Sequence, residues 1–374
     1  MADLKDKLTL NSKLRGMGKE FFLQTSADPK NGKGSCVLFE SGNPVDIIEF
    51  RLTDNGRPPS AIVEEYHKSR LDKFNRLSEL FSELAEETDP SILEKLALSL
   101  IDQRLFQEAI GVLERAIKAA NQNSSLQNYL GLVYLELQDY EKARECFMQA
   151  IQLSPNYPDY HNNLGVALLN LGKCYQSHKS FEKAIELNVY FAEAYYNQAL
   201  SLVLNGIRRE DYNMAQNLED NTTGLLAKAV GFNPQFKNEY LQKGLDALSN
   251  RDLPAAFKML KMGYDEAIGV RFPKKSYSFH LEYLYRNSLL REEAVIRHIK
   301  KLQKLIEIHP NYPDLYNELG MAYTVLTQFH SDRAIEAYER ALKLNPEYKT
   351  AMKNLKLTQN ELKGLKTLLR AILK

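Results

Sequence analysis

Residues 124–155, SSLQNYLGLVYLELQDYEKARECFMQAIQLSP, and residues 158–189, PDYHNNLGVALLNLGKCYQSHKSFEKAIELNV, superimpose at an offset of 34. Leu130-Gly131, Tyr134, Ala143, Phe147, Ala150 and Pro155 of the first fall on Leu164-Gly165, Leu168, Ser177, Phe181, Ala184 and Val189 of the second. A stretched third copy carries Leu319-Gly320, Tyr323, Ala334, Tyr338, Ala341 and Pro346. Leu-Gly and Tyr or Leu share one face of a first helix, and Ala, Phe and Ala share one face of a second. The small Gly and Ala positions let the two backbones approach. One such pair cannot bury its own apolar face, so neighbouring pairs must stack.

A period of 34 with L-G-x-x-Y, A-x-x-x-F-x-x-A and a closing N-P or S-P resembles the tetratricopeptide repeat. The resemblance covers about three-quarters of the chain, with its best motifs at 124–188 and 313–346. It implies an all-α, right-handed superhelical solenoid. We expect about seven helix pairs over residues 89–348. The fourth carries an insertion: Ala229 stands 45 residues after Ala184, 11 beyond the period, and the surplus falls within Asn205 to Gly224. The fifth and sixth pairs, around Tyr240 to Leu260 and Leu284 to Pro310, are degenerate. The seventh has a two-residue insertion near Phe329–Asp332, and residues 349–374 read as a C-terminal capping helix.

Composition is consistent with this. The chain has 374 residues, a formal net charge of +1 and 26% charged residues, 49 basic against 48 acidic. That balance gives no reason to expect nucleic acid. Cys36, Cys146 and Cys174 show no metal-ligand spacing and read as reduced thiols of a cytoplasmic protein. The first residues, Met-Ala-Asp-Leu-Lys-Asp-Lys, have no apolar core or lipidation pattern, and no apolar run approaches about 18 residues, so we expect neither a leader nor a membrane span. The seven histidines form no H-x-x-x-H or H-E-x-x-H pattern, and there is no G-x-S-x-G or phosphate-binding loop. We therefore expect no enzyme, no metal and no cofactor.

Residues 1–56 differ in texture. Phe21–Thr25, Ser35–Phe39 and Val45–Phe50 are strand-like, separated by Asp28-Pro29-Lys30-Asn31-Gly32 and Ser41-Gly42-Asn43-Pro44. Asn-Gly and Pro are turn chemistry, so we expect a small three-stranded antiparallel β-meander. Too small to bury a core alone, it needs a helix or a second subunit, which leaves a homodimer open. A long helix over residues 57–88, with Val63, Tyr66, Phe74, Leu77, Phe81 and Leu84 in one stripe broken by Arg70 and Lys73, should connect it to the repeats.

In tetratricopeptide arrays the first helices line a concave groove. The resemblance places Asp159 and Glu193 on one row, Asn128, Asn162 and Tyr196 on the next, and Tyr129, Asn163 and Asn197 on a third. Leu132 and Val166 follow. Sites that hold Lys or Arg in chaperone-tail clamps carry none here, so an acidic peptide is not the expected ligand. Asn163 and Asn197 instead resemble the asparagine ladder of some tetratricopeptide proteins, where a side-chain amide donates to and accepts from a peptide backbone. The expected function is a non-catalytic protein-interaction scaffold. Its ligand would be a protein or peptide of low negative charge with apolar anchors for Leu132 and Val166, gripped by Asn128, Asn162, Asn163, Asn197, Tyr196, Asp159 and Glu193. An alternative rests on the tail. Leu362, Leu365, Leu369 and Ile372 run beside Lys363, Lys366, Arg370 and Lys374, the pattern of a basic amphipathic helix that could lie on an anionic membrane surface.

Overall fold

The structure, a computed structural model, describes residues 8–52, 57–268, 278–286, 291–308, 313–344, 346–347 and 349–373. The expected end of the sixth pair at Pro310 lies outside these residues. The chain divides into one unit of residues 1–75 and 86–276 and another of residues 76–85 and 277–374.

The N-terminal module is a four-stranded antiparallel sheet, not the three-stranded meander expected. Its strands β1 (Leu8–Gly16), β2 (Lys19–Asp28), β3 (Lys33–Glu40) and β4 (Asn43–Arg51) lie in sequence order. The missed strand β1 pairs with β2 from Leu8↔Ala27 to Gly16↔Lys19. Leu8, Leu10 and Leu14 alternate along it, a period-2 signal. Its turn, Met17-Gly18, lacks the Asn or Pro of the other turns, yet both residues take positive φ, 55° and 75°. Ser41-Gly42 closes β3 to β4 in the same way, with φ of 50° and 84°, as a two-residue hairpin requires. Pro44 is tolerated because β4 is an edge strand.

Helix α1 (Pro59–Glu83) covers the inner face of the sheet. Phe74 meets Phe21 edge-on with ring centroids 4.9 Å apart, and Tyr66 stacks on Phe50 at 4.1 Å. His67 lies within 2.9 Å of both the Ser12 and Thr25 hydroxyls, bridging β1 and β2. Arg70, which interrupts the apolar stripe, is buried and pairs with Asp46 of β4 at 2.7 Å. The same guanidinium bonds to Gln103 at the end of the first repeat helix. Lys19 joins Glu40 and, at 2.6 Å, Glu108. Arg70 and the Lys19–Glu108 pair thus tie the sheet and α1 to the first repeat.

Hairpins follow: α2 (Pro90–Asp102) with α3 (Phe106–Ala119), α4 (Ser124–Glu136) with α5 (Tyr140–Leu153), and α6 (Pro158–Asn170) with α7 (Cys174–Leu187). Side chains of Asp89, Asn123 and Asp139 cap α2, α4 and α5. Each hairpin turns through a left-handed residue, and these are Arg104, Gln138 and Gly172, spaced by the period (φ 56°, 61° and 73°). The Phe147 ring lies over Gly131, where a Cβ would come within 2.6 Å of it, and Phe181 lies over Gly165 in the same way. The Gly and Phe of the motif are one contact. Cys36, Cys146 and Cys174 are free and buried, and burial pushes the thiols of Cys146 and Cys174 up to about 12.

The insertion in the fourth repeat lengthens α8 (Ala192–Arg208), so that its left-handed stop is Arg209. A loop then leads into α9 (Leu218–Phe232). Buried Asn205 closes that loop, donating to the Asp211 carbonyl at 2.7 Å and accepting from its amide at 2.8 Å. Glu210 accepts from the Cys174 amide at 2.6 Å, capping α7, whose own N-cap residue Lys173 makes no side-chain capping bond.

The fifth hairpin, α10 (Glu239–Ser249) with α11 (Leu253–Ile268), departs from the stacking of the others. In the earlier repeats each second helix packs on the next first helix. Here α9 barely touches α10, and α8 packs on α11 instead.

The second unit contains α12 (Ser278–Arg286), α13 (Glu292–Ile308), α14 (Pro313–Leu344) and α15 (Lys349–Leu373). The expected seventh hairpin is one 32-residue helix, α14. No Gly, Pro or Asn stands in Thr327–Arg333 to stop it, and Thr327 and Ser331 return hydroxyl bonds to carbonyls four residues back. Gly320 accordingly has open space where Gly131 and Gly165 meet a ring. Tyr283, Val295, Ile299, Leu302, Val325, Leu369 and Leu373 build the core of this unit.

Candidate protein-interaction groove

The first helices of the repeats bring the expected rows together, and their polar members join across helices. Asn163 Nδ2 donates to Asn128 Oδ1 at 2.9 Å, and one repeat on Asn197 Nδ2 donates to Asn162 Oδ1 at 3.0 Å. Asn128, Asn162 and Asn197 are buried at 8%, 3% and 2% exposure, whereas Asn163 is half-buried and Asp159 exposed. The ladder is therefore first a seam between repeats, whose outward members are Asn163 and Asp159. Protein packed around Asp159 nonetheless raises its carboxyl pKa.

Leu132 and Val166 do not offer the expected apolar sockets. Each is 4% exposed, packed within the array. Both are consumed by packing inside the array. Tyr196 and Asn197 are also withdrawn from any partner's reach, by the chain itself. The Tyr196 hydroxyl donates to the Leu260 carbonyl of α11 at 2.9 Å, and Tyr196 has no exposed surface. Asn197 Nδ2 donates to the Tyr264 hydroxyl at 3.1 Å, and that hydroxyl lies 3.4 Å from Glu193 Oε2. Lys261 Nζ reaches Asn170 Oδ1 at 3.2 Å. Helix α11 thus occupies the groove at the fourth repeat and brings a cation into it. A cleft of about 210 Å³ remains beside it, lined by Asn170, Asn197, Arg208, Lys261 and Asp265 among others.

Tyr264 and Lys261 were not foreseen because the fifth repeat is degenerate, and no spacing says which of its helices meets α8. Gly263 is a signal in hindsight: a Cβ there would sit 3.0 Å from the Tyr196 hydroxyl and 3.0 Å from Asn238 Oδ1, and Asn238 Nδ2 bonds the Gly263 carbonyl at 2.8 Å. Further along the groove Tyr129 is half-buried. Burial and the Glu94 carboxylate push its pKa up to about 12. His161 bonds the Pro155 carbonyl at 2.8 Å. Among the described residues no group of three or more His, Cys, Asp or Glu is placed to hold a metal ion. Among the described residues no helix is long and apolar enough to cross a membrane either.

Comparisons with known proteins bear on the repeats. A family model described as TPR repeat matches residues 131–172, and one described as tetratricopeptide repeat matches 158–188 and 313–348. No curated protein matches the chain. Among solved structures, MamA is 20% identical with a TM-score of 0.38, over 45% of this chain and 92% of that one. MamA from Desulfovibrio magneticus RS-1 is 16% identical with a TM-score of 0.37, over 49% and 97%. YrrB, described as a TPR protein with an unusual peptide-binding site, is 18% identical with a TM-score of 0.37, over 56% and 100%. Over residues 131–188 and 313–348 the chain matches tetratricopeptide repeats, which follow a small antiparallel sheet in the sequence.

Proposed function

We propose that this protein is a non-catalytic interaction scaffold that holds a segment of a partner protein on the concave face of α2, α4 and α6. One observation carries the reading: the Asn163–Asn128 pair repeats the Asn197–Asn162 pair, and the second of these already holds a helix, α11. The open part of the face carries Tyr129, Asn163 and Asp159. It is polar and acidic, so the partner segment is neutral or basic and is held by hydrogen bonds rather than by apolar anchors. Comparative affinity capture from lysate with the intact chain and with Asp159→Ala/Asn163→Ala tests this. A partner lost selectively from the double variant is expected, and an unchanged set would overturn the reading. Asn197 is avoided because its substitution would also unseat α11.

A second reading, a peripheral membrane adaptor, has one observation in its favour. Helix α15 buries Leu362, Leu369 and Leu373, while Lys353, Lys356, Lys363, Lys366 and Arg370 are exposed, with Leu357 and Leu368 about half exposed. A cationic face with an apolar flank suits anionic lipid headgroups. Flotation with phosphatidylserine vesicles, lost on Lys356→Glu/Lys363→Glu/Lys366→Glu, would support it; no flotation of the intact chain would remove it.

A further inference from the structure

The site that seats Tyr264 has a near-copy one repeat earlier. Around the Tyr264 hydroxyl stand the Asn197 amide, donating at 3.1 Å, and the Glu193 carboxylate at 3.4 Å, and the same amide nitrogen gives its other hydrogen to Asn162. A phenol hydroxyl is both donor and acceptor, so amide and carboxylate together satisfy it. Moving each of these residues back by 34 gives Asn163, Asp159 and Asn128. The recurrence is geometric as well as sequential. Asn163 Nδ2 donates to Asn128 Oδ1 at 2.9 Å, as Asn197 Nδ2 does to Asn162 Oδ1 at 3.0 Å. One amide hydrogen of Asn163 is thereby spent, and the other takes the place of the one that Asn197 gives to Tyr264. Asp159 precedes Asn163 by four residues, as Glu193 precedes Asn197, so carboxylate and amide share a helix face. Among the described residues no hydrogen bond joins Asp159 or this second hydrogen to any group. The repeat before that breaks the pattern, with Ser125 for the carboxylate and Tyr129 for the amide.

We infer that Asp159, Asn163 and Asn128 form a binding site for the tyrosine side chain of a partner's helical segment, as the equivalent residues one repeat on bind Tyr264 of the chain's own α11. This rests on the scaffold reading above and names the ligand of its groove. Asp159 is one methylene shorter than Glu193, so the incoming hydroxyl sits closer to α6 than Tyr264 does to α8. The preference over phenylalanine comes from the hydroxyl: without it Asn163 and Asp159 are covered by a ligand that answers neither.

Selection of a displayed random-peptide library on the intact chain tests the inference. It is followed by affinities of the selected peptides and of their Tyr→Phe versions for the wild type, Asn163→Ala and Asn163→Asp. Thermal melts check that both variants fold, and Asn163→Asp keeps the side-chain size while removing the donor. The expected result is tyrosine enrichment and a Tyr→Phe loss of about 3- to 10-fold on the wild type, with that difference vanishing on both variants. Peptides that need Asn163 but bind equally with tyrosine or phenylalanine would overturn the tyrosine site and leave the scaffold reading standing. If no selected peptide responds to Asn163, both fall.

Discussion

Glycine shows how a single position carries the repeat. At Gly165 a Cβ would overlap the Phe181 ring, whereas at Gly224, in the exposed middle of α9, it would meet nothing within 4 Å. Alanine gains up to about 1 kcal/mol over glycine inside a helix, and overpacking a core costs about 1–3 kcal/mol. The two substitutions should therefore have opposite signs. Gly165→Ala is expected to lower the denaturant midpoint, and Gly224→Ala to raise it by an amount worth about 0.5–1 kcal/mol. Titration is also a matter of single residues. Burial, followed by the nearby Lys301, pushes the pKa of His298 down to about 4, with Glu318 opposing and His280 adding to the shift. A depressed folded-state pKa means that the unfolded chain takes up the proton first, below about 6.5. The stability that depends on a neutral His298 is whole above that value and is lost as pH falls toward 4, by up to roughly 3 kcal/mol at 1.36 kcal/mol per pKa unit. Chemical denaturation at pH 7, 5.5 and 4.5 should show the decline, and His298→Leu should flatten it.

At the level of elements, a hairpin forms where a residue accepts the left-handed conformation at the right place. Arg104 and Gln138 do so without being glycine, at a cost of about 1–2 kcal/mol that the packed hairpins offset. Gly172 does so without that cost. Residues 313–346 carry the Leu-Gly and Tyr of the motif, yet 313–344 form one helix, because the segment between lacks a helix breaker and no ring covers Gly320. Thr327→Pro discriminates between the two forms. In a turn it would be tolerated; inside α14 it removes a backbone bond and clashes with the carbonyl four residues back, costing about 3 kcal/mol or more. A large fall in the melting temperature of this unit is expected, and an unchanged one would contradict the continuous helix. Strand β1 was readable from Leu8, Leu10 and Leu14, but its Met17-Gly18 turn has no residue signature as strong as Asn-Gly.

For the molecule as a whole, α15 shows how one helix can serve its own unit and still leave a face open. Ile372 is 40% exposed, whereas Leu362, Leu369 and Leu373 are 6%, 0% and 0% exposed. Each is worth about 1.5–3 kcal/mol of burial, a large share of the about 5–15 kcal/mol that holds a domain folded. Truncation after Leu344 should abolish cooperative unfolding of residues 277–344 while the unit holding the sheet retains its own transition, read by calorimetry. The sequence by itself determined the 34-residue hairpins from α2 to α7 and the place of the insertion, between Asn205 and Gly224. These follow from local spacing: which residues share a helix face, and where a small residue permits a close approach. Tertiary structure alone decided that α11 rather than α10 meets α8, that Tyr264 enters the asparagine ladder, and that Leu132 and Val166 are spent in stacking. Those outcomes depend on contacts between helices about 35 to 70 residues apart, where many pairings bury similar apolar area. What selects among them is the fit of particular groups, such as the Tyr264 hydroxyl between Asn197 and Glu193 and the missing Cβ of Gly263 beside Tyr196.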